Sequence, residues 1–355
     1  MKHSEKTRQS LIMHYQKYPR LQIQDIFKYI YQSSFGCEHM VSSLKASTDS
    51  IRSEIGNTFA YDGPLVDHLD GLYSRVHLAY LNHGLSAETL GKLFLKSSKT
   101  EPDGKSDLEN KLNIVKDLVC ANKLPFSINE LEKSAQEWQS NGYPPLHHSD
   151  IFRKEYKPSY RVIANKYVPF LPLFAKLDKM LKNDSKIVAI DGGSASGKTT
   201  LGEMLKEIYD CTVFHTDDFF LRPEQRTPER YAEIGGNIDR ERFLEEILIP
   251  LSKNQPVFYR RFDCSTMTLA PFTKVIPEKL VVIEGTYSMH PEFENYYDFS
   301  IFMDISPKLQ KTRIAKRNSP QVAAQFYNNW IPLEQLYFSN MHTKNRCDMS
   351  IPILE

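Results

Sequence analysis

The residues Gly192-Gly193-Ser194-Ala195-Ser196-Gly197-Lys198-Thr199 have the spacing G-x-x-x-x-G-K-[ST]. The chemistry this string supports is polyphosphate binding. Its glycines let the backbone wrap an anion closely, and successive N–H groups and the start of a following helix point at it. Lys198 can reach the β/γ oxygens, and the Thr199 hydroxyl is available to Mg²⁺. Three carboxylates could complete a reaction centre. Asp217 and Asp218 follow the segment Thr212–Thr216, and Glu284 ends the apolar run Leu280-Val281-Val282-Ile283. An acid at such a strand end can take the proton of an attacking hydroxyl or hold Mg²⁺. The blander readings are a helix cap for Asp217-Asp218 and a solvated strand end for Glu284.

These side chains need elements to hold them. A short apolar strand, Ile187–Ile190, precedes the glycine-rich loop, and Leu201, Met204, Leu205 and Ile208 recur after it at helical intervals. From Lys186 onward strand and helix alternate: Thr212–His215, Leu280–Ile283 and Phe299–Met303 read as strands, and Arg240–Leu248, Lys308–Arg317 and Ile331–Phe338 as helices. Asp348–Leu354 could close a sheet at its edge. This alternation predicts an α/β domain, a parallel sheet flanked by helices, with ligands at the C-terminal ends of its strands. Residues 1–183 read as a mainly α-helical domain with no assigned role, and residues 184–355 as the P-loop domain. In the first half, Ile23, Ile26, Phe27, Ile30 and Tyr31 make a helical stripe. Leu90, Leu93 and Phe94, then Leu112, Val115 and Val119, suggest two more helices, with Pro64, Pro102, Pro125 and Pro158 among the breaks.

The ordered segments Asp191–Thr200, Thr216–Phe220, Asn237–Asp239, Pro256–Arg261, Ile283–Gly285 and Arg313–Arg317 resemble those of the uridine kinase and phosphoribulokinase group of P-loop kinases. The resemblance runs from Lys186 to Asn318. It implies Mg·ATP bound at Gly192–Thr200, with Asp217 as the catalytic base and Lys198 beside it. It also implies that Asp239 holds substrate hydroxyls, that Tyr259 lines the substrate pocket, and that Arg313 and Arg317 close over the phosphates. Thr199, Asp217 and Glu284 are the candidate Mg²⁺ ligands. The reaction expected is transfer of the γ-phosphoryl group to a hydroxyl of a nucleoside or similar polyol metabolite. The chain departs from the group at Arg240-Glu241, where a His-Pro is usual, in the long arginine-bearing link Arg222–Gly236, and at Phe262–Thr266. Nucleobase specificity is therefore open.

Charge and composition narrow the alternatives. The chain has 355 residues, 41% hydrophobic and 25% charged, with a formal net charge of +1. No overall field favours nucleic acid or an anionic membrane. The five cysteines are scattered without a C-x-x-C, which fits a reducing cytoplasm, and no apolar run has the length of a membrane span. The expected partner is a small-molecule substrate, and a homo-oligomer is compatible with the sequence. The Asn-Lys pairs at Asn110, Asn122 and Asn165 all lack the aspartate of the guanine-reading N-K-x-D string, against a regulatory GTPase. A P-loop ATPase, or a nucleic-acid end kinase using the first half as a binding module, is the alternative. Arginines and acids nearly balance between Arg222 and Arg261, so those arginines read as ion-paired, with a substrate anion as the other role for Arg260 or Arg261. Two groups in the first half, Phe35-Gly36-Cys37-Glu38-His39 and His147-His148-Ser149-Asp150, carry ligand-type side chains without the His-x-x-x-His spacing of a metal helix. A helix cap from Ser149 or Asp150 explains the second. Lys154, Tyr156, Lys157, Tyr160 and Arg161 read as solvated surface.

Overall fold

The computed structural model describes residues 2–37, 43–55, 61–98 and 104–354, so Glu38, His39 and Pro102 lie outside the described residues. The chain divides into two compact units, Met1–Lys179 and Met180–Glu355. Among the described residues no helix is long and apolar enough to cross a membrane.

The first unit is mostly helical: α1 (Lys2–Lys17), α2 (Ile23–Phe35), α3 (Leu44–Glu54), α4 (Ala87–Lys96), α5 (Gly104–Cys120), α6 (Ile128–Ser140), α7 (Asp150–Tyr156) and α8 (Leu171–Met180). The stripe on α2 is buried as its spacing requires, and Ile26 and Ile30 are fully enclosed with Leu108, Val115 and Leu131. Each such side chain contributes roughly 1.5–3 kcal/mol by leaving water. Three strands not legible as such also form here. β1 (Val66–His68), β2 (Tyr73–His77) and β3 (Tyr160–Ala164) make an antiparallel sheet in that order. Ser149 caps α7, its Oγ accepting from the Phe152 amide at 3.1 Å. His148 is taken up by protein groups, with Nδ1 2.9 Å from Asp25 Oδ1 and Nε2 2.6 Å from the Tyr160 hydroxyl. The expectation of a solvated 154–161 cluster fails at Arg161. That side chain is buried and ion-paired with Glu54 at 2.7 Å, because β3 packs against α4, where the Arg161 guanidinium lies 5.8 Å from the Phe94 ring.

The second unit is built on a five-stranded parallel sheet in the order β12-β11-β4-β10-β5. Its strands are β4 (Lys186–Gly192), β5 (Thr212–His215), β10 (Leu280–Glu284), β11 (Phe299–Ile305) and β12 (Met349–Ile353), the last at the edge as anticipated. Two hairpin-like pairs, β6 (Val257–Tyr259) with β9 (Thr273–Val275) and β7 (Phe262–Asp263) with β8 (Thr268–Leu269), stand apart from it. The central strands are almost wholly buried, as a parallel sheet covered on both faces requires. α9 (Lys198–Tyr209) follows β4 and buries Leu201, Leu205 and Ile208. The helical segment from Arg240 opens α-helical and becomes a wider π-turn over Leu244–Leu248. Arg222, Arg226 and Arg230 do not share one helix. Pro223 opens a single 3₁₀ turn and Pro228 starts a separate short helix, Pro228–Ala232.

Sheet order decides where the carboxylates meet. β10 lies between β4 and β5, so Glu284 ends directly between the glycine-rich loop and the Asp217 segment. The neighbours of β4 run out to opposite edges, which makes the loop after β4 the switch point of the sheet.

Candidate active site

The glycine-rich loop is shaped by backbone that few side chains could follow. Gly192 has φ +145°, and a Cβ there would stand 2.6 Å from the Met303 carbonyl oxygen on β11. Gly285, at φ +143°, lets the Thr216 hydroxyl approach, where a Cβ would lie 1.9 Å from that oxygen. Thr216 Oγ1 then donates to the Thr286 carbonyl at 3.1 Å, tying the end of β5 to the end of β10. α9 opens at Gly197 with no side-chain cap, so the first-turn amides remain available to an anion. Ser196 Oγ is buried in the loop and has no hydrogen-bond partner among the described residues. These features fit a phosphate group.

Lys198 lies over the loop it belongs to. Its Nζ donates to the carbonyls of Gly192 at 2.8 Å and Gly193 at 3.1 Å and to Thr286 Oγ1 at 3.3 Å. Those three contacts satisfy the ammonium until a more strongly charged acceptor arrives. Thr199 Oγ1 donates to Glu284 Oε1 at 3.0 Å, and His215 Nδ1 sits 2.5 Å from the same oxygen. The hydrogen bond that His215 donates to the Glu284 carboxylate raises the His215 pKa against the opposing effect of burial. Thr199 and Glu284 are thus brought together as a hydroxyl–carboxylate pair, the donor set a hard divalent cation takes.

Asp217 opens onto the same cavity, yet the surrounding protein raises its pKa by desolvation, with Glu284 and Asp218 adding repulsion and Lys198 opposing. Asp218 is raised for the same first reason, and its Oδ2 is buried with no partner among the described residues. The cavity holds about 780 Å³ and is lined by Lys198, Thr199, Asp217 and Glu284 on its polar side. Its apolar lining is Phe220, Leu221, Tyr231, Tyr287, Phe326, Trp330 and Leu333. Arg313 and Arg317, on the helix Pro307–Arg317, line it too, and Arg313 Nη1 donates to the Ala195 carbonyl at 3.3 Å.

Other expected substrate residues are placed differently. Asp239 is buried, caps the helix that follows by accepting from the Arg242 amide at 3.2 Å, and pairs with Arg242 and Arg222. It is not among the residues lining the cavity. Tyr259 stacks on Phe219 with ring centroids 6.0 Å apart, and burial raises its pKa. Arg261 is exposed, while Arg260 is spent on the carbonyls of Ala270 and Leu269. Arg222 and Arg230 are ion-paired as expected. Among the described residues no carboxylate pairs with Arg226, which lines the cavity with its Nε donating to the Leu221 carbonyl at 3.0 Å.

Two acids with no motif of their own also shape the loop. Glu334, on the helix Ile331–Asn340, is buried and accepts from the Ser194 amide at 3.0 Å and from the Ser194 hydroxyl. Gln310 joins them, its Nε2 reaching Glu334 Oε2 at 3.3 Å and the Ser194 carbonyl at 3.1 Å. Asp191, fully buried, accepts from the amides of Gly192 at 2.6 Å and Met289 at 2.9 Å and from the Tyr337 hydroxyl at 2.8 Å. Burial pushes its pKa up to about 6. Ile331–Phe338 was legible as a helix, but nothing local said which face would meet the loop.

A glycine-rich loop shaped for phosphate thus faces the Asp217 and Glu284 carboxylates across one cavity. Residues 187–319 match the Phosphoribulokinase / Uridine kinase family. A uridine kinase of Chlamydia pneumoniae is 29% identical over 33% of this chain and 57% of its own length. A phosphoribulokinase of Synechocystis is 26% identical over 35% of this chain and 39% of its own. The chain thus spans about half or less of the curated relatives it matches. A solved Bacillus stearothermophilus chain described as a "Possible Uridine Kinase" aligns over 50% of this chain and 98% of its own, at 20% identity and a TM-score of 0.39.

Proposed function

We propose that the second unit is an ATP-dependent kinase that transfers the γ-phosphoryl group to a hydroxyl of a small metabolite. The observation that carries this reading is the convergence of Lys198, Thr199, Glu284 and Asp217 on one cavity behind a loop built for phosphate. In it, the amides at the start of α9 and Lys198 hold the β- and γ-phosphates of ATP. Thr199 and Glu284 would hold Mg²⁺, which when bound offsets phosphate charge. Asp217 accepts the proton of the acceptor hydroxyl as its oxygen attacks the γ-phosphorus. The bond from that phosphorus to the β–γ bridging oxygen breaks, and ADP leaves with the electron pair. The raised pKa of Asp217 makes it a better proton acceptor than an ordinary carboxylate. Arg313 and Arg317, which line the cavity, add positive charge to it.

The apolar lining suits a nucleoside or another acceptor with an aromatic or carbon-rich face. Arg226 favours a second reading, an acceptor that also carries an anionic group. Among the described residues no carboxylate pairs with it, whereas Arg222, Arg230, Arg240 and Arg242 each have one. The test is a phosphorylation screen of nucleosides, polyols and sugar phosphates with ATP and Mg²⁺, read by the mass gain of one phosphoryl group. A nucleoside product supports the first reading and a doubly phosphorylated sugar the second. Failure to phosphorylate any hydroxyl compound while ATP is bound and hydrolysed would return the chain to the ATPase class.

A further inference from the structure

We infer that the first unit carries a phosphate-binding site of its own, in the small cavity walled by Lys17, Arg75, His77, Lys157 and the tyrosines Tyr61 and Tyr160. The key residue is Arg75 on β2. It is only 3% exposed, and the carboxylate that faces it, Asp67, is one it shares with Lys17. Its Nε and Nη2 both donate to Gln32 Oε1, at 2.9 and 2.7 Å, and its guanidinium lies 5.5 Å from the Tyr29 ring and 4.8 Å from the Tyr160 ring. Nη1 forms an ion pair with Asp67 at 3.8 Å, beyond hydrogen-bond reach, and among the described residues no acceptor hydrogen-bonds to it. A buried guanidinium with one nitrogen left over is costly unless an anion meets it.

The rest of the cavity supplies what such an anion needs. Lys17 Nζ lies 3.1 Å from Asp67, so the one carboxylate present is shared between Lys17 and Arg75. Among the described residues lining the cavity three cations, Lys17, Arg75 and Lys157, therefore stand against one acid, and the balance of about +2 matches the charge of a phosphate group near neutral pH. His77 adds no charge, because burial pulls its pKa down to about 4. Its ring is stacked on Tyr61 at a centroid distance of 3.5 Å, and Nδ1 accepts from the Ala79 amide at 3.1 Å. The free volume, about 40 Å³, has room for a few water molecules or one tetrahedral ion, and not for a nucleotide. The ligand is a phosphate ion or the terminal phosphate of a monoester whose remainder lies outside.

The test uses the full chain, titrated with inorganic phosphate and, separately, with phenyl phosphate at constant ionic strength, while the His77 ring resonances are followed by NMR. The K198A variant is titrated in parallel, to separate this site from the glycine-rich loop. The expected result is a saturable His77 shift in wild type and K198A alike. It should weaken at least about tenfold in K17Q/K157Q, both of whose side chains can be changed without emptying the core, and more in R75Q. Tighter binding of phenyl phosphate assigns the site to monoesters, and equal binding assigns it to the free ion. No saturable shift in K198A, or the same affinity in K17Q/K157Q as in its parent, overturns the inference.

Discussion

Replacing Glu334 with alanine tests whether the loop is held in shape from outside its own sequence. The Glu334 carboxylate takes the Ser194 amide at 3.0 Å, the Ser194 hydroxyl, and the Gln310 amide at 3.3 Å. Truncation leaves the Ser194 N–H and one Gln310 N–H without their acceptor. A buried donor stranded in this way costs about 1–3 kcal/mol. Ser194 faces the cavity and can recruit water, so its share falls at the low end, and the total is about 2–4 kcal/mol. If that energy orders the loop, it must be recovered from ATP binding, which weakens by about thirtyfold to several hundredfold. Glu334→Gln keeps an amide oxygen for the Ser194 N–H and should lose no more than about tenfold. The assay is calorimetric titration with Mg·ATP at a temperature where circular dichroism reports both variants folded. A folded Glu334→Ala protein that binds ATP as tightly as wild type refutes the reasoning, because the loop would then hold its shape unaided.

The glycine-rich loop could be read directly because its chemistry is local: spacing, strand and helix all sit within Lys186–Tyr209. Glu284 could be read as a strand-end acid, but its seat between the loop and Asp217 depends on sheet order, which a parallel crossover hides from any local pattern. Glu334 and Asp191 were missed as loop supports for the same reason. Glu334 reaches Ser194 across 140 positions of sequence, and Asp191 gives no sign that Tyr337 will meet it. The first unit's sheet escaped because β1 spans three residues and β2 five, without the clean alternation of a half-buried strand. Asp239 precedes a helix, and its role as that helix's cap was open to the same kind of reading that found Ser149.

Asp217→Asn should lower turnover by about 10²–10⁴ while ATP affinity stays within several-fold, measured by steady-state kinetics and calorimetry, because the base is lost and the cradle is not. The acid limb of kcat/KM in wild type should fall at a pH above the ordinary aspartate value of 3.8, since desolvation raises the Asp217 pKa, and Asp217→Asn should abolish that limb. Glu284→Gln should lower the His215 pKa, seen in a histidine NMR titration, and raise the Mg²⁺ concentration needed for half-maximal activity. Asp191 has a folded pKa of about 6 against 3.8 for the free side chain, so its favourable contribution is complete below 3.8 and fades as pH rises through about 6. The stability deficit of Asp191→Asn, from urea unfolding, should therefore shrink by up to about 3 kcal/mol between pH values below and above that range.

The central claim is that the Gly192–Thr199 loop binds ATP for transfer to a hydroxyl, and γ-labelled ATP tests it most directly. Full-length wild type and Lys198→Ala are incubated side by side with Mg²⁺ and a pool of hydroxyl metabolites, and the label is followed into products. The account predicts label in an organic phosphate ester with wild type and a loss of about 10²-fold or more with Lys198→Ala, which lacks the ammonium that meets the transferring group. Label appearing only as inorganic phosphate with wild type, or equal ester formation by both proteins, contradicts it.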